Sequence, residues 1–152
     1  MLKKRVFFVA VLVALVSMVA ACGGKPRQQD MPKLYSCTVK IVDQNDHPVP
    51  KVIVAVVSDD PTFKWGASGS TNESGIAVMQ TLGEYNGVAT GSYKILVRLL
   101  EPNPTGKFDE EGIEIVDMNN LLKSEYSDPK KTPLSIEVGT TATNVALQVE
   151  KK

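Results

Sequence analysis

The chain is 152 residues long, with 17 basic and 17 acidic residues, one histidine, two cysteines and 43% hydrophobic residues. That length suits one domain with a real core, and two cysteines cannot staple a disulfide scaffold. The charges show no basic excess, which argues against nucleic acid or an anionic lipid surface as partner.

At the start, Lys3, Lys4 and Arg5 precede an uncharged run from Val6 to Ala21. The run is shorter than the roughly 20 apolar residues a membrane-spanning helix needs, and it has the basic and greasy regions of an export signal. It closes in Val19-Ala20-Ala21-Cys22, which resembles the lipobox of bacterial lipoproteins. The resemblance implies cleavage before Cys22, lipidation of its thiol and an exported, membrane-anchored protein. Gly23, where an aspartate would retain a lipoprotein in the inner membrane of enteric-type bacteria, resembles the pattern sent on to the outer membrane. Removing residues 1–21 leaves 14 basic against 17 acidic residues, a net charge of about −3. With Cys22 lipidated, Cys37 has no partner and reads as a small buried hydrophobe.

Residues 22–34 follow as a lipidated tether, since "GGKPRQQDMPKL" is too polar and too rich in glycine and proline to bury itself. From residue 35 to 152 the apolar period becomes two. "SCTVKIVD" alternates Cys37, Val39 and Ile41 with polar residues, as a strand with one buried face does. "VIVAVVS", residues 52–58, is apolar throughout and suits a central strand. "GSTNESGIAVMQTL" predicts two short strands around a turn at Asn72–Gly75. "SYKILVRLLE" puts Tyr93, Ile95, Val97 and Leu99 on one face. "LSIEV" buries Leu134, Ile136 and Val138, and "NVALQVE" buries Val145, Leu147 and Val149. About seven short strands with no crossover helix predict an all-β fold, a single antiparallel β-sandwich of the immunoglobulin or transthyretin type. The long connection from Glu101 to Pro133 is expected to hold structure of its own. "DMNNLLKSEY", residues 117–126, predicts a short helix there, with Asp117 as its cap and Leu121 and Leu122 turned inward.

"VKIVDQNDHPVPKVIVAVV", "STNESGIAVM", "NGVATGSYKILV" and "SEYSDPKKTPLSIEV" resemble, in this order, the carboxypeptidase regulatory-like, prealbumin-type sandwich of small bacterial lipoproteins, notably those of planctomycete-like bacteria. The likeness spans about residues 37–150. The family's first turn carries two glycines, whereas here Asp46 and His47 stand near the first and Lys51 near the second. The resemblance implies an exported, usually non-enzymatic module; no cofactor is expected, and the expected partner is a protein of the cell envelope.

Candidate chemistry is thin. The transthyretin-like hydrolases rely on paired histidines, an arginine and a Tyr-Arg-Gly-Ser tail, and this chain has only His47, in a turn with nothing to orient it. Asp109, Glu110, Glu111, Glu114 and Asp117 crowd one segment, but without the spacing of a calcium loop they read as a solvated acidic stretch. Lys40, Glu101 and Asn144 have the order of an isopeptide cross-link, yet the strand period turns Lys40 to water. Phe63 and Trp65 fall in the loop after the second strand, where aromatics either plug the end of a core or form a ligand site. The readings to test are therefore an anchored binding or assembly module, a small-ligand or carbohydrate-binding module using the Phe63 and Trp65 loop, and, last, a hydrolase.

Overall fold

A computed structural model describes residues 27–152. The lipidation site Cys22, the signal 1–21 and the first part of the tether lie outside the described residues. The chain divides into two compact units, Met1–Met31 and Pro32–Lys152. Of the first, residues 27–31 are described, and they form a turn closed by the Met31 N–H on the Gln28 carbonyl.

The second unit is all-β. Its strands are β1 Leu34–Tyr35, β2 Cys37–Val42, β3 Ile53–Val57, β4 Ala67–Ser70, β5 Ile76–Val78, β6 Gln80–Thr81, β7 Tyr85–Asn86 and β8 Val88–Ala89. They are followed by β9 Gly91–Arg98, β10 Leu100–Phe108, β11 Glu114–Asn120, a 3₁₀ turn at Ser124–Ser127, β12 Ser135–Val138 and β13 Thr143–Gln148. A six-stranded sheet runs β12-β9-β3-β4-β6-β7 and a three-stranded one β13-β2-β5, while β1 with β8 and β10 with β11 form two-stranded ribbons.

Alternation does the burying. Val54 and Val56 of β3 and Tyr93, Ile95 and Val97 of β9 meet Cys37, Val39 and Ile41 of β2 and Ala77 of β5 in one hydrophobic cluster, which Ile136 and Val138 of β12 extend. This is the predicted β-sandwich, with three differences. The ladder between β13 and β2 is parallel, Val145 beside Val39 and Leu147 beside Ile41, so the fold is not wholly antiparallel. Val145 and Leu147 are only half-buried, because β13 is an edge strand. β3 is central as predicted, but only one of its faces is sealed, and Ile53 on the other is exposed.

The turn at Asn72–Gly75 forms as expected, with Asn72 Oδ1 accepting the N–H groups of Ser74 and Ile76. It joins strands of different sheets rather than a hairpin, since β4 pairs with β3 and β5 with β2. Gly75 has φ +72°, and a Cβ there would stand 2.5 Å from the Ile41 carbonyl oxygen, so only glycine fits.

The helix expected over 117–126 is absent. Residues 114–120 are instead a strand, paired antiparallel with 100–108. Leu122 is buried, Tyr126 in the 3₁₀ turn joins the core, and the Asn120 side chain caps the neighbourhood by accepting from the N–H groups of Leu99 and Leu122. A register of seven cross-strand pairs outweighs the helix propensity of that segment, which Asp117, Asn119 and Asn120 already weaken.

Candidate interaction surfaces

The hairpin of β10 and β11 is the element with most unspent chemistry. Directly opposite residues of an antiparallel pair share a face. Leu100, Pro102, Pro104 and Phe108 therefore lie with Val116, Met118, Glu114 and Asn120, while Glu101, Asn103 and Lys107 lie with Ile115, Asp117 and Asn119. One face is predominantly apolar and the other largely polar. Both are open to solvent: Phe108 is 64% exposed, Met118 57% and Val116 44%. A half-apolar ribbon is ordinarily pressed onto a core, and large apolar side chains left bare together mark an interaction surface. A two-residue bulge at Thr105 and Gly106, bridged by the Thr105 hydroxyl on the Ile115 carbonyl, bends the arm before its tip.

Asp109 shapes that tip, its Oδ1 accepting the N–H groups of Glu111 and Ile113 at 2.9 and 2.8 Å. The acidic segment is thus a turn built on one carboxylate, with Glu114 and Asp117 on opposite faces of β11. Among the described residues no group of three or more His, Cys, Asp or Glu is placed to hold a metal ion.

The aromatic loop divides. Phe63 packs against the core, its ring centred 5.6 Å from that of Tyr93 and tilted 60°, so it belongs to the end plug. Trp65 is half-buried and is not part of that packing. A cleft of about 290 Å³ is lined by Asp59, Tyr93, Lys94, Ser135, Ile136 and Glu137, with Ser92. Neither Phe63 nor Trp65 lines it; the loop contributes Asp59, and Phe63 reaches it only through its packing on Tyr93.

His47 is exposed, its Nδ1 3.6 Å from Asp43 Oδ2. Asp43 is itself the hub of the turn, and the N–H groups of His47 and Asn45 on its carboxylate hold it below the ordinary carboxylate range. Lys40 and Asn144 do fall on neighbouring strands, Asn144 opposite Thr38 and Lys40 opposite Ala146. Both are exposed, as is Glu101 in the arm, so the trio lacks the burial that would activate a lysine amine. Cys37 is buried, and burial pushes its thiol up, away from the nucleophilic thiolate.

The arm is the feature that reading the sequence missed. Its signal was available as alternation in "EIVDMNN", masked by two prolines and a glycine in the preceding strand.

No family model matches the chain, and no curated protein does. Among solved structures it is similar to BcpA, the major pilin subunit of Bacillus cereus, at 14% identity over 80% of this chain and a TM-score of 0.40. It is similar also to a 9R-lipoxygenase from Cyanothece, at 16% identity over 97% of this chain and a TM-score of 0.40. The chain spans 31% and 24% of the lengths of those two chains. Among the described residues no helix is long and apolar enough to cross a membrane.

Proposed function

We propose that this is a non-enzymatic lipoprotein of the bacterial cell envelope, anchored through Cys22, that holds a transthyretin-like β-sandwich off the membrane as a binding or assembly module. The anchor is supported by the lipobox resemblance at Val19–Cys22. The observation that carries the module reading is the solvent-exposed, half-apolar arm of residues 100–120, for which the sandwich itself provides no cover. Several acyl chains bury enough methylene groups, at about 0.8 kcal/mol each, to hold such a protein without any apolar surface of its own. The arm is then free for contact with a protein partner.

Replacing residues 101–119 of the full chain by a short Gly-Asn turn tests this reading. The sandwich should melt where it did before, because the arm adds nothing to the core, and chemical cross-linking in native membranes should lose its adducts. Unchanged adducts would contradict it. The alternative, a small-ligand or carbohydrate-binding module, is favoured only by Trp65, whose ring is half-buried outside the core packing. Trp65→Ala would then abolish retention on a glycan or small-ligand matrix at an unchanged melting temperature.

A further inference from the structure

The face of the six-stranded sheet turned away from the core carries charge that the fold does not use. In the ladder between β12 and β9, Ser135 stands opposite Lys94 and Glu137 opposite Ser92, with the pair Ile136 and Tyr93 between them. Ile136 and Tyr93 are buried in the core, so by alternation Ser135, Lys94, Glu137 and Ser92 share the outer face. β9 lies between β12 and β3, and Asp59 follows the end of β3 by two residues. All of these residues line the cleft of about 290 Å³. Its two carboxylates, Asp59 and Glu137, therefore come from the two sides of β9, and its one ammonium, Lys94, from β9 itself. Among the described residues these three charges form no ion pair, although Lys94 is half-buried between the strands that carry the other two. Groups of both signs are thus left for a ligand.

We infer that this cleft binds a free α-amino acid, with its ammonium between Asp59 and Glu137 and its carboxylate on Lys94 and the Ser135 hydroxyl. The row of Ser92 and Glu137 and the row of Lys94 and Ser135 are two residues apart along β9, about 7 Å. An α-ammonium and its carboxylate span that distance with one hydrogen bond at each end.

The lining disfavours the other classes of small ligand. An apolar molecule would cover three charges without pairing them. A sugar finds no ring to stack on, because Tyr93 is buried and its hydroxyl donates to the Ala89 carbonyl at 2.9 Å. A phosphate would meet two carboxylates for one ammonium, and a polyamine would be set against Lys94. A zwitterion gives each of the three an opposite charge. Ligand pockets run from about 300 to 1,000 Å³, so a cleft at the lower bound suits a molecule of amino-acid size. With the side chains of Tyr93 and Ile136 turned into the core, the cleft offers no apolar pocket for the ligand's own side chain. Recognition then rests on the head group and is broad among small amino acids. Neither the arm nor Trp65 lines this cleft, so the site stands apart from both.

The test is equilibrium dialysis of the full chain in detergent at low salt against radiolabelled glycine, L-alanine and L-serine, with the amide and the N-acetyl derivative of each as competitors. The amino acids should be retained, and the derivatives, each lacking one of the two charges, should compete at least about tenfold more weakly. Lys94→Gln and Glu137→Gln should each weaken retention by about tenfold or more. Lys40→Gln, an exposed position on the other sheet, should leave it unchanged. Melting temperatures of the three variants, expected within about 3 °C of the parent, verify that each folds. Failure to retain any of the three amino acids would overturn the inference. So would an amide that competes as well as the free amino acid, which marks a plain cation site, or an N-acetyl derivative that does so, which marks an anion site. Retention unchanged in both Lys94→Gln and Glu137→Gln would place the binding elsewhere and overturn it too. Each of these outcomes leaves the reading of the arm standing.

Discussion

Asp46 and Lys51 both have φ +61°, a left-handed backbone that costs a residue with a Cβ about 1–2 kcal/mol. The fold tolerates this strain in the turn between β2 and β3. Lys51→Gly should raise stability in urea unfolding by up to about 1 kcal/mol, the relief being offset by the greater freedom of glycine in the unfolded chain. The buried polar residues among those described are Thr71, Thr81 and Thr132, and each hydroxyl donates to a backbone carbonyl, of Val49, Gly87 and Ile95 respectively. Thr71 also accepts the Val52 N–H at 2.8 Å, so one hydroxyl ties together both ends of the Val49–Val52 turn. Thr71→Val keeps the shape and strands both groups, and should cost about 2–3 kcal/mol. Asp43 gives a pH signature. Its folded pKa is lowered, so its contribution is present above the unfolded value of about 3.9 and is lost as pH falls through the folded one. Asp43→Asn should therefore flatten the fall in melting temperature below about pH 4; an unaltered acid limb would assign that limb to other carboxylates.

At the scale of elements, the strands that alternation predicted are those with one face sealed: β2, β9 and β12. Tyr93, Ile95, Val97 and Leu99 are buried as the period requires. The arm escaped that logic because neither of its faces is sealed, and Pro102, Pro104 and Gly106 read locally as breakers. A proline is harmless in a strand only when its nitrogen points away from the partner, and that depends on a register that no local pattern encodes. Leu121 and Leu122 gave a false helical cue for a related reason. They close the root of the arm, where Leu122 is buried and the Leu121 N–H donates to the Leu99 carbonyl. The aromatic loop was legible as a loop but not in its division of labour. Phe63→Ala should lower stability by about 1–2 kcal/mol through lost packing on Tyr93, and Trp65→Ala by clearly less. Equal losses in chemical denaturation would return Trp65 to the plug.

For the whole molecule, the sandwich follows from local periods, whereas the parallel pairing of β13 with β2 does not. Residues 143–148 show the same alternation whichever direction their neighbour runs, and only the path of the intervening chain decides it. The core also sets an alkaline limit. Burial raises the pKa of Cys37, and burial followed by the nearby Cys37 raises that of Tyr93. A raised folded pKa stabilises below the unfolded value and is lost as pH climbs through the folded one, so stability should fall above about pH 9. Iodoacetamide should label Cys37 only on unfolding. The proposed role turns on the anchor, because the anchor is what would hold the exposed arm in the cell envelope. The most direct measurement is the intact mass of the protein purified from its native membrane, beside a Cys22→Ala chain. The account predicts the mass of residues 22–152 plus acyl lipid, with lipid lost in the variant. A cleaved chain without lipid, found free of the membrane, would contradict it.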